Sequence, residues 1–279
     1  MASRSDVLLE IRQLYTAFVE PEGTLEALEE VSFDVFQGEF VCLIGPSGCG
    51  KSTLLRTLAG LLPPSQGEVR LRGVPVSGPT RAVGLVFQQP TLLPWRTVAG
   101  NVGLPLELQG QPLEERRRRV TELLDMVGLT GFGDTYPQLL SGGMAQRAAI
   151  ARALAQDPEV LLLDEPFGSL DALTRERMAA ALLELWQQLQ RTVVMVTHSV
   201  EEATLLADRV VVLSPRPGRI IDVITVSLPR PRDPALLLDV RFQSVVRELR
   251  QALQDGEKYG AARNSSVKLP AMAGPLSPR

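Results

Sequence analysis

The sequence is sparing with several residue types, and each shortage excludes something. Of 29 lysines and arginines only Lys51, Lys258 and Lys268 are lysine. The two cysteines, Cys42 in an apolar run and Cys49 in a glycine-rich loop, have neither the number nor the spacing for a disulfide framework or a zinc site; they suit a reducing, intracellular compartment. There is no run of about 18 apolar residues to cross a bilayer, and "MASRSDVLLEIRQ" lacks the apolar core of a signal peptide. Any work at a membrane is therefore expected from its surface, through a partner. A formal net charge of -3 argues against nucleic acid as a partner, because a surface that holds a phosphate backbone usually carries a basic excess. Hydrophobic residues are plentiful at 44% of 279, enough to bury a substantial core in one large domain or two small ones.

Short apolar runs ending in polar or glycine-rich turns recur at "EFVCLI", "AVGLVF", "VLLLD" and "TVVMVT", each followed by a helix-like stretch. That is how buried parallel strands with crossover helices read, so the class is α/β. Before them, "VLLEIRQLYTAF" and "LEEVSFDVF" alternate apolar and polar residues and predict an antiparallel side sheet, with "FVEPEGTLEA" read as a loop. From Pro90 to Leu140 the strand rhythm stops, and Leu113, Val120, Leu123, Leu124 and Val127 recur at helical spacing after Pro112: an inserted helical subdomain. Its run Arg116 to Arg119 reads as a solvated helix face, with Glu114 and Glu115 four residues before Arg118 and Arg119. "PRPRDP" marks a boundary, "ALLLDVRFQSVVRELRQALQ" an amphipathic helix, and the stretch from Gly256 a tail.

Gly45, Gly50, Lys51 and Ser52 in "GPSGCGKST" match G-x-x-x-x-G-K-[ST], placed after the strand "EFVCLI" and before the helical "STLLRTLAG". Glycines let backbone N–H groups turn inward around phosphate oxygens, and the helix start adds unpaired N–H groups and the positive dipole end. A lysine fits this cradle as a compact point charge on a flexible stem, where a planar guanidinium would not; this is one of the few places where an arginine-rich chain keeps lysine. Ser52 would place its hydroxyl on Mg²⁺. In "VLLLDEP" an apolar strand delivers two carboxylates: Asp164 to hold Mg²⁺, and Glu165 to orient and polarise an attacking water. "LLSGGMAQRAAIARAL" supplies a second phosphate-receptive helix start, with Ser141 as cap and Gly142 and Gly143 permitting close backbone approach. Gly45, Gln88, Asp164 and His198 each follow the carboxyl end of a predicted parallel strand, the rim on which α/β sheets bind ligands.

With these motifs in this order, the stretch Val7 to Ser227 resembles the ATP-binding cassette family, Leu140 to Gly143 matching its LSGGQ motif and Met144 replacing the glutamine. The resemblance implies a P-loop NTPase, RecA-like parallel sheet core with an antiparallel side sheet and a helical subdomain inserted at about 90–150. It implies an ATPase domain over 7–228 and a C-terminal helix and flexible tail over 229–279. ATP and Mg²⁺ are the implied ligands, bound by Gly45, Ser47, Gly48, Cys49, Gly50, Lys51, Ser52 and Thr53. Gln88 looks like the Q-loop glutamine that ligates Mg²⁺, His198 like the switch histidine that contacts the γ-phosphate, and Ser169, Leu170 and Asp171 like the D-loop. Phe18, with Tyr15 as the other candidate, matches the aromatic that stacks on adenine.

In that family Ser141, Gly142 and Gly143 of one subunit close over ATP held by its twin, which implies a head-to-tail pair of this chain. "QQPTLLPWRTVAGNV", "YPQLLSGGMAQR" and "SPRPGRI" are similar to the ATPases of the nitrate, sulfonate and taurine importer group. That resemblance implies separate transmembrane permease subunits, docked near Gln89, Leu92 and Trp95, an extracytoplasmic solute-binding protein beyond them, and a peripheral place on the cytoplasmic face of the cell membrane. An exporter or lipoprotein-releasing cassette is the nearest alternative. A soluble repair or translation cassette would need paired cassettes, zinc cysteines or a basic arm.

Overall fold

Burial on both faces dictates the central sheet. In the strand Phe40–Ile44 every residue is buried, and alternate side chains go to opposite sides. Phe40, Cys42 and Ile44 join one hydrophobic cluster, while Val41 and Leu43 join the other. Only a continuous apolar run satisfies such a strand. The computed structural model describes residues 7–21, 23–168, 170–232 and 234–266.

In chain order the elements begin with strands β1 (Val7–Glu20), β2 (Gly23–Phe36) and β3 (Phe40–Ile44), helix α1 (Lys51–Leu58), and strands β4 (Gln66–Leu71), β5 (Val74–Pro75) and β6 (Val83–Val86). Helices α2 (Val98–Val102), α3 (Leu104–Leu108), α4 (Leu113–Met126) and α5 (Gly142–Leu154) follow without an intervening strand. Then come β7 (Val160–Asp164), α6 (Ala172–Leu189), β8 (Thr192–Val196), α7 (Val200–Leu206), β9 (Arg209–Leu213), β10 (Ile220–Thr225) and α8 (Val240–Ser266). The six-stranded sheet runs β10-β9-β3-β8-β7-β6. It is parallel from β9 to β6, with β10 antiparallel at its edge. Four of these parallel strands are the ones expected from sequence. The fifth, β9, has the same all-apolar signature in Val210, Val211 and Val212 but lies outside that expectation.

The side sheet has order β2-β1-β4-β5 and packs across α1 from the central sheet, Leu8, Ile11, Val31 and Val35 meeting Leu54, Leu55 and Leu58. One sequence expectation fails here. "FVEPEGTLEA" is no loop: Phe18 pairs with Leu25, Val19 with Thr24 and Glu20 with Gly23, so β1 and β2 form one long hairpin. Cross-strand pairing outweighed the weak strand propensity of this glutamate-containing stretch.

On α4 the arginines do pair with glutamates, but differently from the expected spacing. Arg117 meets Glu114, Arg118 and Arg119 share Glu122, and Arg116 reaches Glu107 on α3. The chain also stays ordered beyond the boundary at "PRPRDP". Arg232 is buried and donates to the carbonyls of Leu205, Ala207, Val226 and Leu228. Phe242, Val246 and Leu249 of α8 enter the main core. Gly256 is buried inside α8 and does not start a tail; residues 267–279 lie outside the described ones. Packing against β9 and β10 offsets the low helix propensity of Gly256 and Gly260.

Candidate functional site

At the carboxyl end of β3 the chain turns back on itself through two left-handed glycines, Gly48 at φ 75° and Gly50 at φ 105°. A Cβ on Gly50 would lie 2.6 Å from the Ala27 carbonyl oxygen, so side-chain bulk is excluded as well as the backbone angle. Gly50 is the N-cap of α1 and no side chain caps that helix, whereas Ser141, Asp171 and Ser199 cap α5, α6 and α7. The first amides of α1 are thereby left open to an anion. Lys51 is buried at 6% exposure, its Nζ donating to the carbonyls of Gly45 and Pro46 at 2.8 and 2.9 Å.

A cleft of about 250 Å³ opens above this loop, lined by Phe18, Leu25, Ala27, Ser47, Gly48, Gly50, Lys51, Ser52, Thr53, Glu165 and Arg216. The hairpin register brings Phe18 here, beside Leu25. Tyr15 pairs instead with Gln66 and is not among the lining residues. Gly45 and Cys49 support the loop from beneath. Cys49 is buried, its thiol pushed up chiefly by desolvation, and a Cβ on Gly45 would meet its sulfur at 2.9 Å.

The acidic side is a second convergence. Ser52 Oγ donates to Asp164 Oδ1 at 2.9 Å. Burial raises the Asp164 carboxyl above its ordinary value, Ser52 opposes that, and the charge of Glu165 adds to it. An anion so poorly compensated is a natural seat for a cation. A hydroxyl and a carboxylate side by side are hard oxygen donors suited to Mg²⁺, which takes one or two carboxylates plus phosphates and water. Accordingly, among the described residues no group of three or more His, Cys, Asp or Glu could cage a metal unaided. Glu165 sits at φ 43°. Its Oε2 accepts from Gln88 Nε2 at 3.3 Å and faces His198 Nδ1 at 3.5 Å. Three chain-distant residues thus meet around one carboxylate. Thr197 and Ser199 flank the histidine; Ser199 caps α7 by accepting from the Glu202 N–H, while the Glu202 carboxylate accepts from the Thr197 hydroxyl.

The remaining predicted residues lie apart from this cleft. Ser141 accepts the Met144 N–H and exposes the α5 start together with Gly142; Gly143 is buried against Thr174 and Met178. Asp171 caps α6 by accepting from the Thr174 N–H. None of these four lines the cleft in the same chain, and Ser169 lies outside the described residues. Sequence reading missed three lining residues, the apolar Leu25 and Ala27 of β2 and the charged Arg216. The text around Arg216, "SPRPGRI", signals a turn, but nothing in the spacing says that the turn touches the phosphate loop.

Comparison with known proteins gives a consistent result. A profile of the ABC transporter family matches residues 28–168. The chain is 51% identical over 221 residues to the nitrate import ATP-binding protein of Synechocystis sp., covering 79% of this chain and 83% of that one. It is 48% identical over 213 residues to the taurine import ATP-binding protein of Roseobacter denitrificans, covering 76% and 80%. Among solved structures, it is similar to a dimeric ATP-binding cassette in a post-hydrolysis state bound to ADP and Pi, with TM-score 0.71 and 34% identity, over 80% of this chain and all of that one. With glycine loop, paired acids and serine-glycine helix start carried on the matching fold, the chain belongs to the ABC transporter family.

Proposed function

We propose that the chain is the ATP-hydrolysing subunit of an importer for nitrate, sulfonate, taurine or related small solutes, acting on separate permease subunits at the cytoplasmic face of the membrane. The observation that carries this is the cleft, where Phe18, the glycine loop, Lys51, Ser52 and Glu165 meet. Phe18 offers a face for the adenine. The loop amides and the start of α1 receive the phosphates, and Lys51, whose Nζ donates to the Gly45 and Pro46 carbonyls and stands 4.0 Å from Cys49 Sγ, sets its positive charge beside them. Ser52 and Asp164, with Gln88, would hold Mg²⁺, whose bound charge offsets that developing on the phosphate oxygens.

Glu165 aligns a water for in-line attack and accepts its proton. The new bond forms from the water oxygen to the γ-phosphorus as the bond to the bridging oxygen breaks, giving ADP and phosphate. Gln88 and His198 hold the Glu165 carboxylate by its Oε2, so changes at the phosphates are felt by the segment after β6 that leads to Trp95. Ser141 and Gly142 stand exposed at the start of α5, with Gly143 buried just behind them, and none of the three lines the cleft of its own chain, which supports a head-to-tail pair in which each copy closes the other's site. Asp171 stands at the start of α6, next to that helix start through the Gly142–Leu170 contact. Trp95 is 71% exposed and not a core residue, as a permease-docking side chain requires. An extracytoplasmic binding protein would deliver the solute.

The test is ATP binding and turnover by the Glu165→Gln variant. Turnover falls by about 10²–10⁴-fold while ATP still binds; wild-type turnover in this variant overturns the assignment.

A further inference from the structure

The turn between β9 and β10 is built for close approach to the phosphate loop. Gly218 donates its N–H to the Ala27 carbonyl at 2.9 Å and accepts from the Glu29 N–H at 3.0 Å, which ties the turn to β2. A Cβ at Gly218 would lie 2.2 Å from the Cys49 carbonyl oxygen, so only glycine permits this contact. Ser214 closes the turn, its hydroxyl accepting from the Arg219 N–H at 3.0 Å. From the opposite side α8 presses on the same turn: a Cβ on Gly260 would stand 2.9 Å from Pro215 Cγ, and one on Gly256 3.9 Å from Ser214 Cα. Pro215 and Pro217 stiffen what lies between.

On this clamped turn Arg216 is exposed and lines the cleft, and its guanidinium makes no hydrogen bond or ion pair with any of the described residues. Its neighbours are engaged. Arg219 is held by Glu29, Lys51 by two carbonyls, and Glu165 by Gln88 and His198. An ordered backbone thus carries five unused donors and a permanent charge to the rim of a phosphate-receptive cleft.

We propose that Arg216 is a nucleotide-binding residue whose charge acts on the phosphate chain of ATP and ADP, seated by the β9–β10 turn and, through it, by α8. The proposal rests on the ATP reading of the cleft. It adds a cation that the glycine-loop motif does not contain, and it gives the C-terminal helix a part in ligand affinity.

The experiment measures ATP and ADP binding to the full chain by titration calorimetry at low and physiological salt, for wild type, Arg216→Gln, Arg216→Lys and Lys51→Ala. Arg216→Gln raises Kd about five- to tenfold and lessens its salt dependence, and Arg216→Lys keeps most of the affinity. If wild type binds and Arg216→Gln binds equally well, the proposal is overturned while the ATP reading stands. If wild type itself fails to bind, or Lys51→Ala binds as wild type does, the ATP reading falls. A lysine variant as weak as the glutamine one overturns the role of charge. Gly260→Val, checked by circular dichroism, raises Kd in the wild-type background and not in Arg216→Gln; equal effects in both remove α8 from the account.

Discussion

Replacing each of the two tryptophans by alanine separates a contact that holds the fold from one that awaits a partner. Trp186 is 7% exposed. Its ring meets Phe40 edge-on at 5.7 Å, its indole N–H donates to the Arg191 carbonyl at 2.7 Å, and Arg230 lies over its face at 4.0 Å. A buried aromatic removes about 200 Å² from water, roughly 5 kcal/mol at about 25 cal/mol per Å². Measured core truncations of this size cost about 3–5 kcal/mol. The same arithmetic for Trp95, 71% exposed on the segment after β6, leaves about 1.5 kcal/mol. As an interface anchor, however, Trp95 should contribute about 2 kcal/mol to permease binding, roughly thirtyfold in affinity. Urea unfolding, basal ATP turnover and turnover in the reconstituted transporter read the three quantities. Trp186→Ala loses stability in the first. Trp95→Ala loses less there, keeps the second and loses permease stimulation in the third. Equal loss of basal and stimulated turnover in Trp95→Ala would refute the docking role and assign this residue to the fold.

Two further predictions concern stability. Glu202 is buried and its carboxyl is held above the usual value, first by desolvation, against the lowering effects of Thr197 and Arg175. A raised folded pKa means that the folded chain binds the proton more tightly, so the stability from this group is present below the unfolded pKa and lost as pH rises through the folded one. Glu202→Gln should therefore gain Tm relative to wild type between about pH 4 and about pH 7; a flat or falling difference contradicts the burial argument. Phe242 is fully buried where α8 meets the core, so Phe242→Ala should cost about 3–5 kcal/mol in urea unfolding. A loss below about 1 kcal/mol would mean that α8 is an appendage.

Much of this protein was legible in its residues alone. Buried parallel strands need apolar runs, so β3, β6, β7 and β8 announced themselves, and a glycine loop that must take left-handed angles and admit an anion can be written in few ways. Gly45, Gln88, Asp164 and His198 could be placed together because each stands at the end of a strand, and strand ends in a parallel sheet share one rim; the roles of Gln88 and His198 came from the family resemblance. Other features depend on contacts between segments distant in sequence. Pairing across the hairpin, and not local propensity, turned "FVEPEGTLEA" into strand and chose Phe18 over Tyr15 for the cleft wall. Packing against the sheet extended α8 through Gly256 and Gly260. The approach of Gly218 to Cys49, which sets Arg216 at the cleft, joins residues far apart in the chain and leaves no periodic or motif trace. Sequence fixes what a segment prefers and which chemistry it carries; the free energy of packing decides which segments meet.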